Sequence, residues 1–133
     1  MVVPIVGAAL LLGGCGGDSE TTAIEPATVE QIEGSELSKI VLTPEAVERL
    51  DLQTAKIEAG ATGTTIPYSA IIYDANGATW AYTSNAPNTF VRQAIVIDHI
   101  EGKTAVLKSG PPAGTTVATV AVAELLGAET GIG

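Results

Sequence analysis

Residues 68–83, Tyr68-Ser69-Ala70-Ile71-Ile72-Tyr73-Asp74-Ala75-Asn76-Gly77-Ala78-Thr79-Trp80-Ala81-Tyr82-Thr83, set two β-prone runs on either side of an Asn-Gly pair. Asn-Gly is favoured in two-residue type I′ turns because both central positions take positive φ. Closure at Asn76-Gly77 predicts Tyr73 opposite Trp80 and Ile71 opposite Tyr82. One face then carries Ile71, Tyr73, Trp80 and Tyr82, the expected core face, with cross-strand pairs contributing about 0.2–1 kcal/mol each. The other face, Ala70, Ile72, Asp74, Ala81 and Thr83, is smaller and partly polar.

Working outward, further short β-prone runs appear at close spacing. Upstream, Lys39 to Leu42 is one; Thr43-Pro44-Glu45 then supplies an N-cap, a proline at the first helical position and an acid in the first turn. A short helix is expected to about Leu52, with Ala46, Val47 and Leu50 on one stripe. A strand from Gln53 to Glu58 and a Gly/Thr-rich connection from Ala59 to Thr65 follow. Downstream, Asn85-Ala86-Pro87-Asn88 is a turn, Thr89 to Asp98 a long strand, Ile100-Glu101-Gly102 a turn and Lys103 to Lys108 the returning strand. Ser109 to Gly114 breaks the chain, Thr115 to Val122 makes a last strand, and Ala123 to Gly127 a single helical turn. The sum is a mainly β fold: a small antiparallel barrel or sandwich of about six or seven strands with one or two short helices.

At 133 residues the chain has room for one small domain. Six Lys+Arg against fifteen Asp+Glu give a net charge of -9, the wrong sign for holding a phosphate backbone, so no nucleic-acid partner is expected. One Cys and one His do not make a zinc site or an internal disulfide, and no metal or cofactor is expected.

Val2 to Gly14 is an uncharged apolar run of signal-peptide length, shorter than the roughly 18 residues of a spanning helix. It ends in Leu12-Gly13-Gly14-Cys15, a tetrad that resembles the lipobox of bacterial lipoproteins. The resemblance implies a signal peptide over 1–14, cleavage between Gly14 and Cys15, and a lipid on Cys15 that holds the chain to the membrane on its extracytoplasmic side. From Gly16 to Glu36 there are six acids and no base, which reads as a disordered linker over 15–36 with a reach of roughly 25 Å. The β domain is then 37–133, with nine acids and six bases.

The stretch Ile66-Pro67-Tyr68-Ser69-Ala70-Ile71-Ile72-Tyr73-Asp74, followed by Gly77, Trp80 and Tyr82, resembles the C-terminal, membrane-proximal part of the periplasmic adaptor (membrane-fusion) subunits of efflux pumps. There a Pro-x-x-Ala strand leads through a tight turn to an aromatic-rich return strand. Phe90-Val91-Arg92-Gln93-Ala94-Ile95-Val96, Gly102 to Leu107, Ser109-Gly110, Gly114 and Val117 continue the same order. Ile40 to Val47 and Leu52 to Ile57 are similar to the segment that opens such adaptors. The similarity covers about residues 37–122. It lacks the lipoyl-like domain and helical hairpin, whose place Glu58 to Thr65 spans in eight residues. It implies a reduced, stand-alone version with Pro67, Asn76, Gly77, Trp80 and Tyr82 shaping its hairpin, and a transporter permease or a second copy as partner in transmembrane transport.

No residue set points to catalysis. Asp98-His99 is the only acid beside the only imidazole, at an expected turn, and Ser109 is not placed by spacing to serve as its nucleophile. No nucleophile elbow, P-loop or dinucleotide fingerprint is present. Trp80, Tyr82, Tyr73 and Phe90 suit a core or a sugar or peptide groove, the shared face favouring core. Gln53, Lys56 and Arg92 are the polar residues to inspect for a docking role. The expectation is a non-catalytic, lipid-anchored adaptor-like protein. The alternatives are a ligand-binding lipoprotein that presents a small molecule to an uptake or sensing system, and a structural envelope lipoprotein.

Overall fold

A computed structural model describes residues 27–131. The signal segment, Gly14, Cys15 and the linker as far as Pro26 lie outside the described residues.

The elements run β1 (Ala27–Gln31), β2 (Ser38–Leu42), α1 (Pro44–Leu50), β3 (Thr54–Lys56), β4 (Glu58–Ala59), β5 (Thr64–Pro67), a 3-10 turn (Tyr68–Ala70), β6 (Ile72–Tyr73), β7 (Thr79–Ala86), β8 (Thr89–Glu101), β9 (Thr104–Ser109), β10 (Thr116–Ala118) and α2 (Val122–Thr130). Every pairing is antiparallel, in the order β3-β10-β7-β8-β9-β5-β4. β3 and β4 are two pieces of one path bent at Ile57, whose N–H donates to Thr115 O (2.8 Å) and whose carbonyl accepts from Gly114 N (2.7 Å). The path therefore pairs with β10 through one piece and β5 through the other, and the fold is a nearly closed seven-stranded antiparallel barrel with two helices, as the strand spacing predicted.

Two cores result. Ile57, Ile66, Ala70, Ile71, Ala81, Ile95, Ala105, Leu107 and Val117, drawn from strands all around the sheet, fill the barrel. Ile40, Leu42, Ala46, Ile72, Tyr82, Phe90, Ala118 and Leu125 pack outside it, under both helices and the β1–β2 hairpin. β7 is thus buried on both faces, with Ala81 inward and Tyr82 outward. Ala81, expected on the weaker face, lies in the barrel interior, where a narrow lumen admits small side chains, whereas on the partner run the faces are exchanged, with Ile71 inside the barrel and Ile72 in the outer core.

The hairpin closes one residue away from the predicted register. Ile72 pairs with Trp80 and Tyr73 with Thr79, so Tyr73 leaves the core and is 54% exposed. Asp74 N donates to Ala78 O and Gly77 N to Asp74 O, both 3.0 Å, with Gly77 at φ +85° while Asn76 stays at negative φ. This is a type I turn followed by a left-handed glycine, the three-residue alternative to type I′. Asp74 decides between them: its Oδ1 accepts from Asn76 N (2.8 Å) and Ala78 N (2.9 Å).

Three further expectations are corrected. The linker does not run to Glu36, because Ala27–Gln31 forms β1 and pairs with Leu42 to Ser38. The long strand continues beyond Asp98 to Glu101. The last strand stops at Ala118, and the chain turns through Ala121 at φ +68° into a nine-residue helix. Gly127, taken as a helix stop, lies inside α2. Leu125 packing under the helix offsets the roughly 1 kcal/mol that an internal glycine costs. α1 starts as predicted, with Thr43 Oγ1 accepting from Ala46 N at 3.1 Å, and ends at Leu50.

Candidate functional site

A buried polar group sits where α2 meets the outside of the barrel. The β7–β8 register sets Tyr82 opposite Arg92. Both reach Glu129 of α2: the Tyr82 hydroxyl donates to Oε1 at 2.7 Å and Arg92 Nη2 donates to Oε2 at 3.3 Å. Ser38 N of β2 also donates to Oε2, at 3.3 Å. Arg92 Nε lies 3.1 Å from Oε1 but off the line a hydrogen bond needs, and is buried without an acceptor. The guanidinium stacks over Trp80 at 4.4 Å from the ring centroid. Trp80 Nε1 in turn donates to Asp74 Oδ2 at 2.9 Å. Burial first, then the bond to Glu129, pushes the Tyr82 phenol well above its ordinary range. With side-chain exposures of 13% for Arg92 and 3% for Glu129, the pair is a clamp holding α2 to β2, β7 and β8.

A second group lies at the far end of β8. His99 Nδ1 is 2.7 Å from Asp98 Oδ2 and Nε2 is 2.9 Å from Glu101 Oε2. The Asp98 bond first, then the Glu101 bond, raises the imidazole pKa above its ordinary value. Ser109 stands opposite Val96 whereas His99 stands opposite Val106, so the ladder does not bring hydroxyl and imidazole together.

Among the described residues, two of the surface grooves are lined mainly by apolar side chains. One, of about 230 Å³, lies between α1, α2 and β1, with Ala27, Leu42, Leu50 and Leu125 in its wall and Arg49 and Glu124 beside it. The other, shallower and about 610 Å³, runs beside β8 between Tyr73, Gly77 and Thr79 on one side and Val96, Ile97 and Ile100 on the other. They share no lining residue.

The polar residues singled out in the sequence are not gathered. Arg92 is committed to the clamp. Gln53 donates from Nε2 to Asp51 Oδ2 (3.2 Å) and its carbonyl accepts from Thr119 N (2.8 Å), while Lys56 stands opposite Thr116 on β3. Of the hairpin set, Trp80 and Tyr82 face the helix-covered core, Gly77 makes the turn, Asn76 is its exposed tip, and Pro67 ends β5 opposite Thr104. Glu129 was missed, because Gly127 masked the helical spacing that continues from Leu125 to Glu129. Comparison with protein-family models, curated proteins and solved structures returned no match for this chain.

Proposed function

We propose that the chain is a lipid-anchored, extracytoplasmic, non-catalytic contact module that works beside a membrane transporter in efflux, in the manner of the adaptors its sequence resembles. The observation that supports it best is the groove between α1, α2 and β1. Its floor is apolar, its rim holds one cation and one anion, and a polar rim around an apolar centre is the anatomy of a protein interface. Ala27 in its wall is twelve residues beyond Cys15, a span that covalent geometry limits to about 40 Å, so an anchor at Cys15 keeps this face near the membrane. The barrel interior is filled by side chains and offers recognition on its outside alone. This groove, at about 230 Å³, is below the roughly 300–1,000 Å³ of sites that enclose a small molecule, and the larger groove beside β8 is shallow and open.

The test is a cross-linked pull-down from membranes with the chain tagged after Gly133, followed by mass spectrometry of the partners and of the N-terminal peptide. The reading expects an acylated Cys15 and a transporter permease. Acylation without a protein partner overturns the contact role, and an unmodified Cys15 overturns the anchor.

A further inference from the structure

The two ends of β7 open on grooves of different chemistry. Thr83 follows the inward-facing Ala81 by two residues along β7, and Thr115, just before β10, precedes the inward-facing Val117 by two. The register sets Val91 opposite Thr83 and Gln93 opposite Ala81. By strand alternation and pairing, all four lie on the face that forms the barrel interior. Beyond the packed interior they form, with Ser84 and Asn85, a groove of about 370 Å³ at the barrel mouth. At the other end of β7, beside Thr79, the groove is walled by Tyr73, Val96, Ile97 and Ile100.

A bulge shapes the polar mouth. The β7–β8 ladder slips between Thr83 opposite Val91 and Ala86 opposite Thr89, so that Ser84 and Asn85 stand against Phe90 alone. Bulges recur at barrel rims, where they re-aim side chains, and this one brings a hydroxyl and an amide to the groove. The hydroxyl of the buried Thr83 donates to Val91 O at 3.1 Å, and that of Ser84 to Ala86 O at 2.8 Å, which leaves their lone pairs to accept. Asn85 and Gln93 are exposed, and each amide offers two donors and an acceptor. All the lining side chains but Val91 are thus polar, and none is charged, in a chain with fifteen acids and six bases.

We propose that this mouth binds a neutral carbohydrate through its hydroxyl groups. A charged ligand finds no counter-charge in the wall to offset its desolvation. A sugar hydroxyl donates and accepts at once, which suits a wall of hydroxyls and amides. An extended peptide, also neutral and also bearing both functions, docks on a free strand edge, and Thr83 is already paired on both sides, with Val91 and Val117. The volume falls within the roughly 300–1,000 Å³ of small-molecule sites. With no aromatic ring in the wall for stacking, a single hexose is expected to bind with a dissociation constant of about 1–10 mM. The inference goes beyond the transporter contact and is independent of it, since this groove shares no residue with the one between α1, α2 and β1.

The test titrates the isotope-labelled full chain, in a polyoxyethylene detergent that carries no sugar headgroup, and follows the backbone amides by NMR. The probes are glucose, N-acetylglucosamine and the tetramer of the latter, the monomers taken to about 100 mM. Saturable shifts are expected at Thr83 to Asn85, Val91 to Gln93 and Thr115. Gln93→Ala and Asn85→Ala are each expected to weaken binding about three- to tenfold, the double variant to abolish saturation, and Lys108→Ala to change nothing. The amide spectra report folding directly, and both substituted residues are exposed. A tetramer bound at least tenfold more tightly than its monomer supports the proposal with a glycan polymer as the source, and equal affinity supports it with a free sugar. No saturable shift with any of the three sugars overturns the proposal, as do shifts that persist unchanged in both single variants. Equal binding of acetyl-tetraalanine amide at the same residues also overturns it, in favour of a peptide.

Discussion

Glu129 is the residue on which most of the polar chemistry converges. Its carboxylate receives Tyr82, Arg92 and Ser38, from three strands, and is almost fully buried. Truncating one partner of a buried ion pair strands the other charge, at about 3–5 kcal/mol. Glu129→Ala is therefore expected to lower unfolding free energy by about 3–5 kcal/mol in urea titration. Replacing both partners, with Glu129→Leu and Arg92→Met, is expected to cost much less, because no charge is left unpaired. At the opposite end of β8, His99 carries a raised pKa from Asp98 and then Glu101. A raised folded-state value stabilises the fold fully below the unfolded pKa of about 6.5, and the contribution is lost as pH rises through the folded value. NMR titration is expected to place His99 above 6.5 in the native chain and closer to it in Asp98→Asn; an unshifted imidazole in the native chain contradicts the two contacts.

Gly77 fixes the β6–β7 hairpin at the scale of elements. An added Cβ there meets nothing within 4 Å, so Gly77→Ala is penalised by its φ of +85° alone. A cost of about 1–2 kcal/mol is expected in thermal or urea unfolding. Ala121 poses the reverse case, since an L-residue holds φ +68° at the entry to α2. Ala121→Gly is expected to stabilise by up to about 1 kcal/mol, measured the same way. The position of the hairpin was legible in the sequence but its register was not. Asn-Gly signals a turn within a few residues, whereas the choice between two-residue and three-residue closure was made by the Asp74 carboxylate, which caps two backbone amides and the Trp80 indole. One residue of slip moved Tyr73 from the expected core to the surface. α1 was legible because its cap, proline and acid are local signals. α2 was not, because an internal glycine and weak amphipathicity hide a helix that is held by Leu125 and Glu129 through contacts far away in the chain.

At the scale of the molecule, the described residues form a barrel filled with small and aliphatic side chains, with a second core plastered on its outside by two helices and a hairpin. Strand spacing gave the class of the fold correctly; the two-sided burial of β7 and β10 was beyond it, because alternation on one strand is the same whether the second face meets water or a helix. Of the candidate site, Arg92, Tyr82 and Trp80 were singled out in the sequence but their meeting with Glu129 and Ser38 was not, since the clamp joins β2, β7, β8 and α2 over sequence separations up to 91 residues. The central claim, that this barrel meets a transporter through the α1–α2 groove, is tested most directly by a photo-cross-linking amino acid placed at Arg49 in the full chain, irradiated in intact membranes. The account predicts a covalent adduct with a transporter permease, absent when the same group is placed at Lys108, which lines neither groove. No permease adduct from Arg49, or equal yield from Lys108, contradicts it.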